Sequence, residues 1–136
     1  MNAPSTSPLR VYVVDESPLV RERLAEHIGP EICAAVVGEA EDAETALAGI
    51  RETDAEVVVL DLRLVDGSGI DVLDALRDRT DAIVTIVLSN HSTPDHRRAG
   101  VAAGADYFFD KTTEFDLAMN TIAQLARDKC DGFTAS

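Results

Sequence analysis

The sequence predicts an α/β protein built on a doubly wound, five-stranded parallel sheet of order 2-1-3-4-5. Three observations carry that prediction. Five short runs are mainly apolar, and the third, Val57 to Leu60, lacks the alternation of a half-exposed strand and so reads as buried on both faces. Between and after them lie segments whose apolar residues recur at three- and four-residue spacing, as helices covering both faces would require. The runs also end on polar residues, and in such a sheet the crevice outside the carboxyl ends of the strands is where ligands bind.

The first strand is Leu9 to Val14, and it runs into the adjacent acids Asp15 and Glu16. Ser17-Pro18 is a helix cap followed by proline at the first helical position. Val20, Leu24 and Ile28 give that helix one apolar face, and Gly29-Pro30 stops it. A second strand spans Ala34 to Ala40, followed by a helix over Glu41 to Glu52 with Ala43, Ala46, Leu47 and Ile50 inward. The third strand, Ala55 to Leu60, ends at Asp61, and a loop with Gly67 and Gly69 leads to a helix over Gly69 to Arg79 carrying Ile70, Val72, Leu73 and Leu76.

Ala82 to Leu88 forms the fourth strand, ending at Ser89. Thr93-Pro94 repeats the cap-then-proline signature and opens a helix running through Ala103 to Gly104. That helix lacks a long apolar stripe, which predicts an exposed, adaptable face. Ala105 to Phe109 is the fifth strand, ending near Lys111, and Thr113 to Arg127 is the last helix, with Phe115, Met119, Ile122 and Leu125 or Ala126 inward. The arrangement is flavodoxin-like, with one domain over 9–127, a disordered lead-in over 1–8 and a polar, frayed tail over 128–136.

At 136 residues, 46% of them apolar, the chain is long enough for one well-buried core. No apolar run approaches the roughly 20 residues of a membrane span, and Met1 to Pro8 lacks the blocks of a signal peptide, so no membrane association is expected. The formal charge of −13, from 25 acids against 12 bases, repels phosphate backbones and argues against direct nucleic-acid binding. An excess of carboxylates suits a cation where several converge. Cys33 and Cys130 are too few and too oddly placed for a disulfide framework, which points to a reduced, cytoplasmic setting. His27, His91 and His96 share no metal-ligand spacing.

The predicted topology gathers Asp15, Glu16, Asp61, Ser89 and Lys111 in one crevice from four strands. Three carboxylates packed together repel unless a cation sits among them. Magnesium suits the set, since it prefers oxygen ligands and takes one or two carboxylates plus substrate phosphate. An aspartate there can act as nucleophile toward a phosphoryl group, with Lys111 supplying a point charge and Ser89 a hydroxyl donor.

At these residues the chain resembles the receiver domains of two-component response regulators, with single-domain, chemotaxis-regulator-like members as the nearest type. The resemblance covers Leu9 to Arg127 and implies that Asp61 accepts phosphate, as a 4-aspartylphosphate, from a sensor histidine kinase or a phosphotransfer protein. It implies magnesium on Glu16, Asp61 and the backbone carbonyl of Arg63, with Asp15 acting mostly through water. Ser89 and Lys111 would contact the phosphoryl group, and Phe108 would be the switch aromatic that turns inward as the Ser89 hydroxyl moves. The protein would then signal by docking on a downstream protein or relaying phosphate, as a monomer or a phosphorylation-dependent dimer, without enzymatic turnover of its own. Three rivals stand beside this reading: a piece of a longer DNA-binding regulator, a pseudo-receiver that binds without phosphate, and an aspartyl-phosphate phosphatase. The last usually carries a second acid where this chain has Arg63.

The chain departs from the family pattern at four places. Val65 and Thr112 stand where proline is usual, Asn90 where a small residue is common, and Phe108 lacks a hydroxyl. The proline after the family's lysine commonly follows a cis bond. Before a non-proline residue that form costs roughly 2.5–4 kcal/mol, which leaves the geometry of the Lys111–Thr112 bond open.

Overall fold

The computed structural model describes residues 7–78 and 82–131. Strands β1 (Leu9–Val14), β2 (Ala34–Ala40), β3 (Val57–Leu60), β4 (Val84–Ser89) and β5 (Tyr107–Asp110) form one parallel sheet in the order β2-β1-β3-β4-β5. Helices α1 (Pro18–His27), α2 (Ala43–Thr53), α3 (Gly69–Arg77), α4 (Pro94–Ala102) and α5 (Phe115–Asp131) connect and flank it. The predicted order is observed. A short 3₁₀ turn at Pro30–Ile32, absent from the sequence reading, carries the chain from α1 to β2.

The two-sided core follows from strand alternation. Val11, Val13, Val57, Val59, Ile86 and Leu88 point to the face covered by Leu24 and Ile28 of the α1 region and by Phe115, Ala118, Ile122 and Ala126 of α5. Tyr12, Val14, Val58, Leu60 and Val87 point to the other face, against Ala46 and Ile50 of α2 and Val72, Leu73 and Leu76 of α3. Helix α4 contributes least: within it only Gly100 is buried, and Val101 is 62% exposed, in keeping with its missing apolar stripe.

The helix starts follow their caps. Ser17 accepts from the Val20 N–H and Thr93 from the His96 N–H, each with proline at the next position, as predicted. Ser68 and Asp71 form a reciprocal capping box that opens α3. Gly69, the first residue of α3, has no room for a side chain, because a Cβ there would run into the Asp61 carbonyl oxygen. The helix is thereby seated directly on the end of β3.

Two expectations are corrected. Cys33 and Cys130 form a disulfide across a sequence separation of 97. Topology returns the end of α5 to the start of β2, which a count of cysteines does not reveal. Helix α5 continues past Arg127 to Asp131, so Asp128 onward begins as helix rather than frayed tail. The reason is anchorage: Lys129 reaches Glu56 and the Pro8 carbonyl, and Cys130 is bonded. The Lys111–Thr112 bond, whose geometry the sequence leaves open, is trans, since no cis peptide bond occurs among the described residues. Of the expected lead-in, Met1 to Thr6 lie outside the described residues, as do Arg79 in the third predicted helix and Gly132 to Ser136 of the tail.

Candidate phosphoryl-acceptor site

The sheet positions the site by extending its own hydrogen-bond ladder one residue past the strands. Asp15 donates its N–H to the Ala40 carbonyl, Asp61 to the Val14 carbonyl and Lys111 to the Ser89 carbonyl, at 2.9–3.0 Å. Each side chain therefore starts from a backbone held by the neighbouring strand. Asp15 and Asp61 are buried, and their Oδ2 atoms both accept from Lys111 Nζ, at 2.8 and 2.7 Å. Their Oδ1 atoms face backbone donors, Ser17 N–H at 2.8 Å and Arg63 N–H at 3.4 Å. Arg21, which the sequence reading did not single out, donates to the Asp15 carbonyl and pairs with Glu39, bracing the first acid from behind.

One cation thus serves two buried carboxylates. Burial alone would lower the Lys111 pKa, but the hydrogen bonds and charges of Asp15 and Asp61 outweigh it and hold the ammonium above its ordinary value. The cleft over the pair has a volume of about 290 Å³ and is lined by Asp15, Glu16, Asp61, Arg63, Asn90, His91 and Lys111 among others. Glu16 sits exposed at its rim. Ser89 is fully buried, and its Oγ accepts the His91 N–H at 3.0 Å rather than joining the acids. Phe108 is half-buried on the α2–α3 face of the sheet, against Gly100, where a Cβ would lie 2.8 Å from the ring, and with the Arg97 guanidinium 5.2 Å from its centroid.

The positions where proline was expected have acquired work for their N–H groups. Val65 donates to the Glu41 carbonyl at 2.9 Å, while Ala43 donates to the Asp66 carbonyl at 3.1 Å, stitching the β3–α3 loop to the β2–α2 loop. Thr112 donates its N–H to Asp110 Oδ1 at 2.8 Å and its hydroxyl to Asn90 Oδ1 at 3.1 Å. A proline at either position has no such donor.

Among the described residues no three His, Cys, Asp or Glu side chains are gathered as a ready metal cage. Magnesium does not need one, since it keeps several waters and takes one or two carboxylates. Two buried acids sharing a single ammonium, beside a water-accessible cleft with Glu16 on its rim, fit that donor requirement.

Comparison with known proteins decides the family. The sequence model described as the response regulator receiver domain matches residues 11–123. The chain belongs to that family. This receiver domain is 31% identical over 120 residues to the transcriptional regulatory protein TcrX of Mycobacterium tuberculosis, covering 88% of this chain and 50% of the relative. It is 29% identical over 119 residues to the nitrate/nitrite response regulator protein NarP of Escherichia coli, covering 88% and 55%. Its fold matches the signal receiver domain of NarL from Mycobacterium tuberculosis with a TM-score of 0.80 and 27% identity, over 89% of this chain and 98% of that one. The receiver domain spans about half the length of the curated relatives it matches.

Proposed function

We propose that this receiver domain is a phosphorylation-controlled switch in which Asp61 is the acceptor. The observation that carries the reading is the pair of buried acids, Asp15 and Asp61, on the single ammonium of Lys111 at the carboxyl end of the sheet. A carboxylate oxygen of Asp61 attacks the phosphorus of a phosphohistidine on a sensor kinase or phosphotransfer protein. The N–P bond breaks, the imidazole leaves, and an acyl phosphate forms on Asp61. Magnesium held by Asp15, Glu16, Asp61 and the Arg63 carbonyl would neutralise charge on the phosphoryl oxygens.

The chain's own groups do the remaining work. Lys111, freed from one of its two acids, follows the phosphoryl oxygens as a compact charge. Ser89 exchanges its present bond from the His91 N–H for the phosphoryl group. Phe108 then moves in the slot that Gly100 leaves open, and the exposed face of α4 changes shape. Output is docking on a downstream protein or onward relay of phosphate, as a monomer or a phosphorylation-dependent dimer. Turnover as a phosphatase is disfavoured because Arg63, not a second acid, stands two residues beyond Asp61.

One observation favours a second reading, that this is the receiver of a longer DNA-binding regulator: a 30% identical relative, of which it covers 54%, is the DNA-binding transcriptional activator DevR/DosR. In that case nucleic-acid contact belongs to the other part of the chain, since this part carries a charge of −13.

The test is intact-mass measurement after incubation with acetyl phosphate and magnesium. Wild type should gain one phosphate and Asp61→Asn none. No gain in wild type, or a gain that survives Asp61→Asn, overturns the assignment.

A further inference from the structure

Beyond Lys111 the loop reads Thr112-Thr113-Glu114, with no ring to fix its backbone. Asp110 holds it instead. Its Oδ1 accepts the N–H groups of both Thr112 and Thr113 at 2.8 Å, and its Oδ2 accepts the Ser92 hydroxyl at 2.5 Å. The first two bonds fold the loop that carries Lys111. The third crosses to the β4–α4 loop, which follows Ser89.

A second ring of contacts closes around the first. The Asp110 N–H donates to Glu114 Oε1 at 2.8 Å, and that oxygen also takes Arg97 Nη2 at 3.0 Å. Arg97 donates in addition to the Ser92 and Phe108 carbonyls, at 3.1 Å each. Backbone and side-chain links from Lys111 N–H to the Ser89 carbonyl and from Thr112 to Asn90 complete the connection. Ser92 is thereby held at both its hydroxyl and its carbonyl.

We infer that Asp110 is a positioning residue that makes the β4–α4 and β5–α5 loops one unit, so that the Ser89 hydroxyl and the Lys111 ammonium arrive together at a phosphoryl group on Asp61. The inference rests on Asp61 being the acceptor. The two functional side chains themselves are held separately: the Ser89 hydroxyl accepts the His91 N–H of its own loop, and the Lys111 ammonium donates to the acids it must partly release. Chemistry that depends on two donors from different strands is sensitive to small displacement of either. The Ser92 hydroxyl, followed by the Thr113 N–H, holds the Asp110 carboxyl at about 2, so the acceptor is ionised throughout the neutral range.

Geometry and charge are separated by two variants. Asp110→Asn keeps an acceptor for the two threonine N–H groups and offers an amide to the Ser92 hydroxyl, so it preserves the brace without the charge. Asp110→Ala removes both. Two readouts are taken on the full chain: the rate of phosphorylation by acetyl phosphate with magnesium, followed by intact mass, and amide hydrogen exchange of the unphosphorylated protein at His91. Asp110→Ala should phosphorylate about tenfold more slowly and exchange faster at His91, on the neighbouring β4–α4 loop. Asp110→Asn should stay within about twofold of wild type in rate, as a positioning role requires. Ser92→Ala, which leaves the Thr112 and Thr113 bonds intact, should accelerate His91 exchange as well.

The inference is overturned if Asp110→Ala phosphorylates at the wild-type rate, if it slows with His91 exchange unchanged, or if Asp110→Asn is as slow as Asp110→Ala. A wild type that takes up no phosphate overturns the assignment of Asp61 and the role in phosphoryl transfer with it. The exchange measurements, made without phosphate, still decide whether the loops are coupled.

Discussion

At the amino end of the sheet, Glu56 accepts from Lys129 Nζ at 2.8 Å and from the Arg10 N–H at 3.0 Å, with the Arg10 guanidinium 3.8 Å away. At the carboxyl end, Lys111 is shared between Asp15 and Asp61. The first arrangement has one acid between two cations, and the second has one cation between two acids. Around Glu56 the chain adds further fasteners: Lys129 to the Pro8 carbonyl, Leu9 N–H to the Cys33 carbonyl, and the Cys33–Cys130 bond. Around Lys111 it leaves a cleft open to water. The same residue types close one end of the fold and keep the other one positive charge short. A site short of one cation and open to solvent is prepared to take one from outside, whereas a compensated and bonded end is prepared only to stay shut.

The largest expected effect comes from removing the one cation. Lys111→Ala leaves two buried carboxylates facing each other, and loss of one partner from a buried pair costs about 3–5 kcal/mol. Urea unfolding without divalent ions should show that loss. Added magnesium should recover part of it in the variant, because a ligand that binds only the folded state stabilises by mass action. A deficit under about 1 kcal/mol would put Lys111 among weakly coupled surface pairs and dissolve the contrast between the two ends.

Reduction of Cys33–Cys130 tests the other end. A disulfide typically contributes about 2–4 kcal/mol, so the urea midpoint should fall on reduction and fall equally in Cys130→Ser. Phosphorylation of the folded protein should keep its rate, because the bond lies at the end of the sheet away from the acids. An unchanged midpoint would mean that the amino end is held by Glu56 and its partners alone.

Much of the carboxyl end was legible in the sequence. Val57 to Leu60 is apolar without a break and then stops at Asp61, and a strand buried on both faces can carry an acid only at its end. The caps at Ser17-Pro18 and Thr93-Pro94 were legible for the same reason, since their signal lies within a few residues. What was hidden depends on partners distant in sequence. Nothing near Cys130 announces Cys33, and nothing near Val65 announces the Glu41 carbonyl that uses its N–H. Ser89 was correctly put at the end of β4, but the direction of its hydroxyl is set by the loop that follows. Asp110 did leave a local signal. An Asp followed two and three residues later by free N–H groups is the pattern of a side chain that folds its own turn.

The smallest expected effect compares the two ends through acid. Both hold a carboxylate below its ordinary pKa. At the amino end, burial would raise Glu56, but the Lys129 hydrogen bond, the Arg10 N–H and the two charges lower it on balance. At the carboxyl end, the Ser92 hydroxyl and the Thr113 N–H bring Asp110 down to about 2. A carboxylate whose folded pKa is depressed stabilises the fold fully above its unfolded value, near about 4. That contribution disappears as pH falls through the folded value. For Asp110 the window therefore runs from about pH 4 down to about 2. Asp110→Asn should be less stable than wild type at neutral pH, and the difference should shrink across that window, because protonated wild-type Asp110 and the amide then carry the same charge. Glu56→Gln should behave alike, with its own deficit closing as Glu56 is protonated. The measurement is urea unfolding of the three proteins at intervals from pH 6 to pH 2. A difference for Asp110→Asn that stays constant over the whole range would mean that the carboxylate's charge plays no part, leaving only the shape of its hydrogen bonds at that end of the sheet.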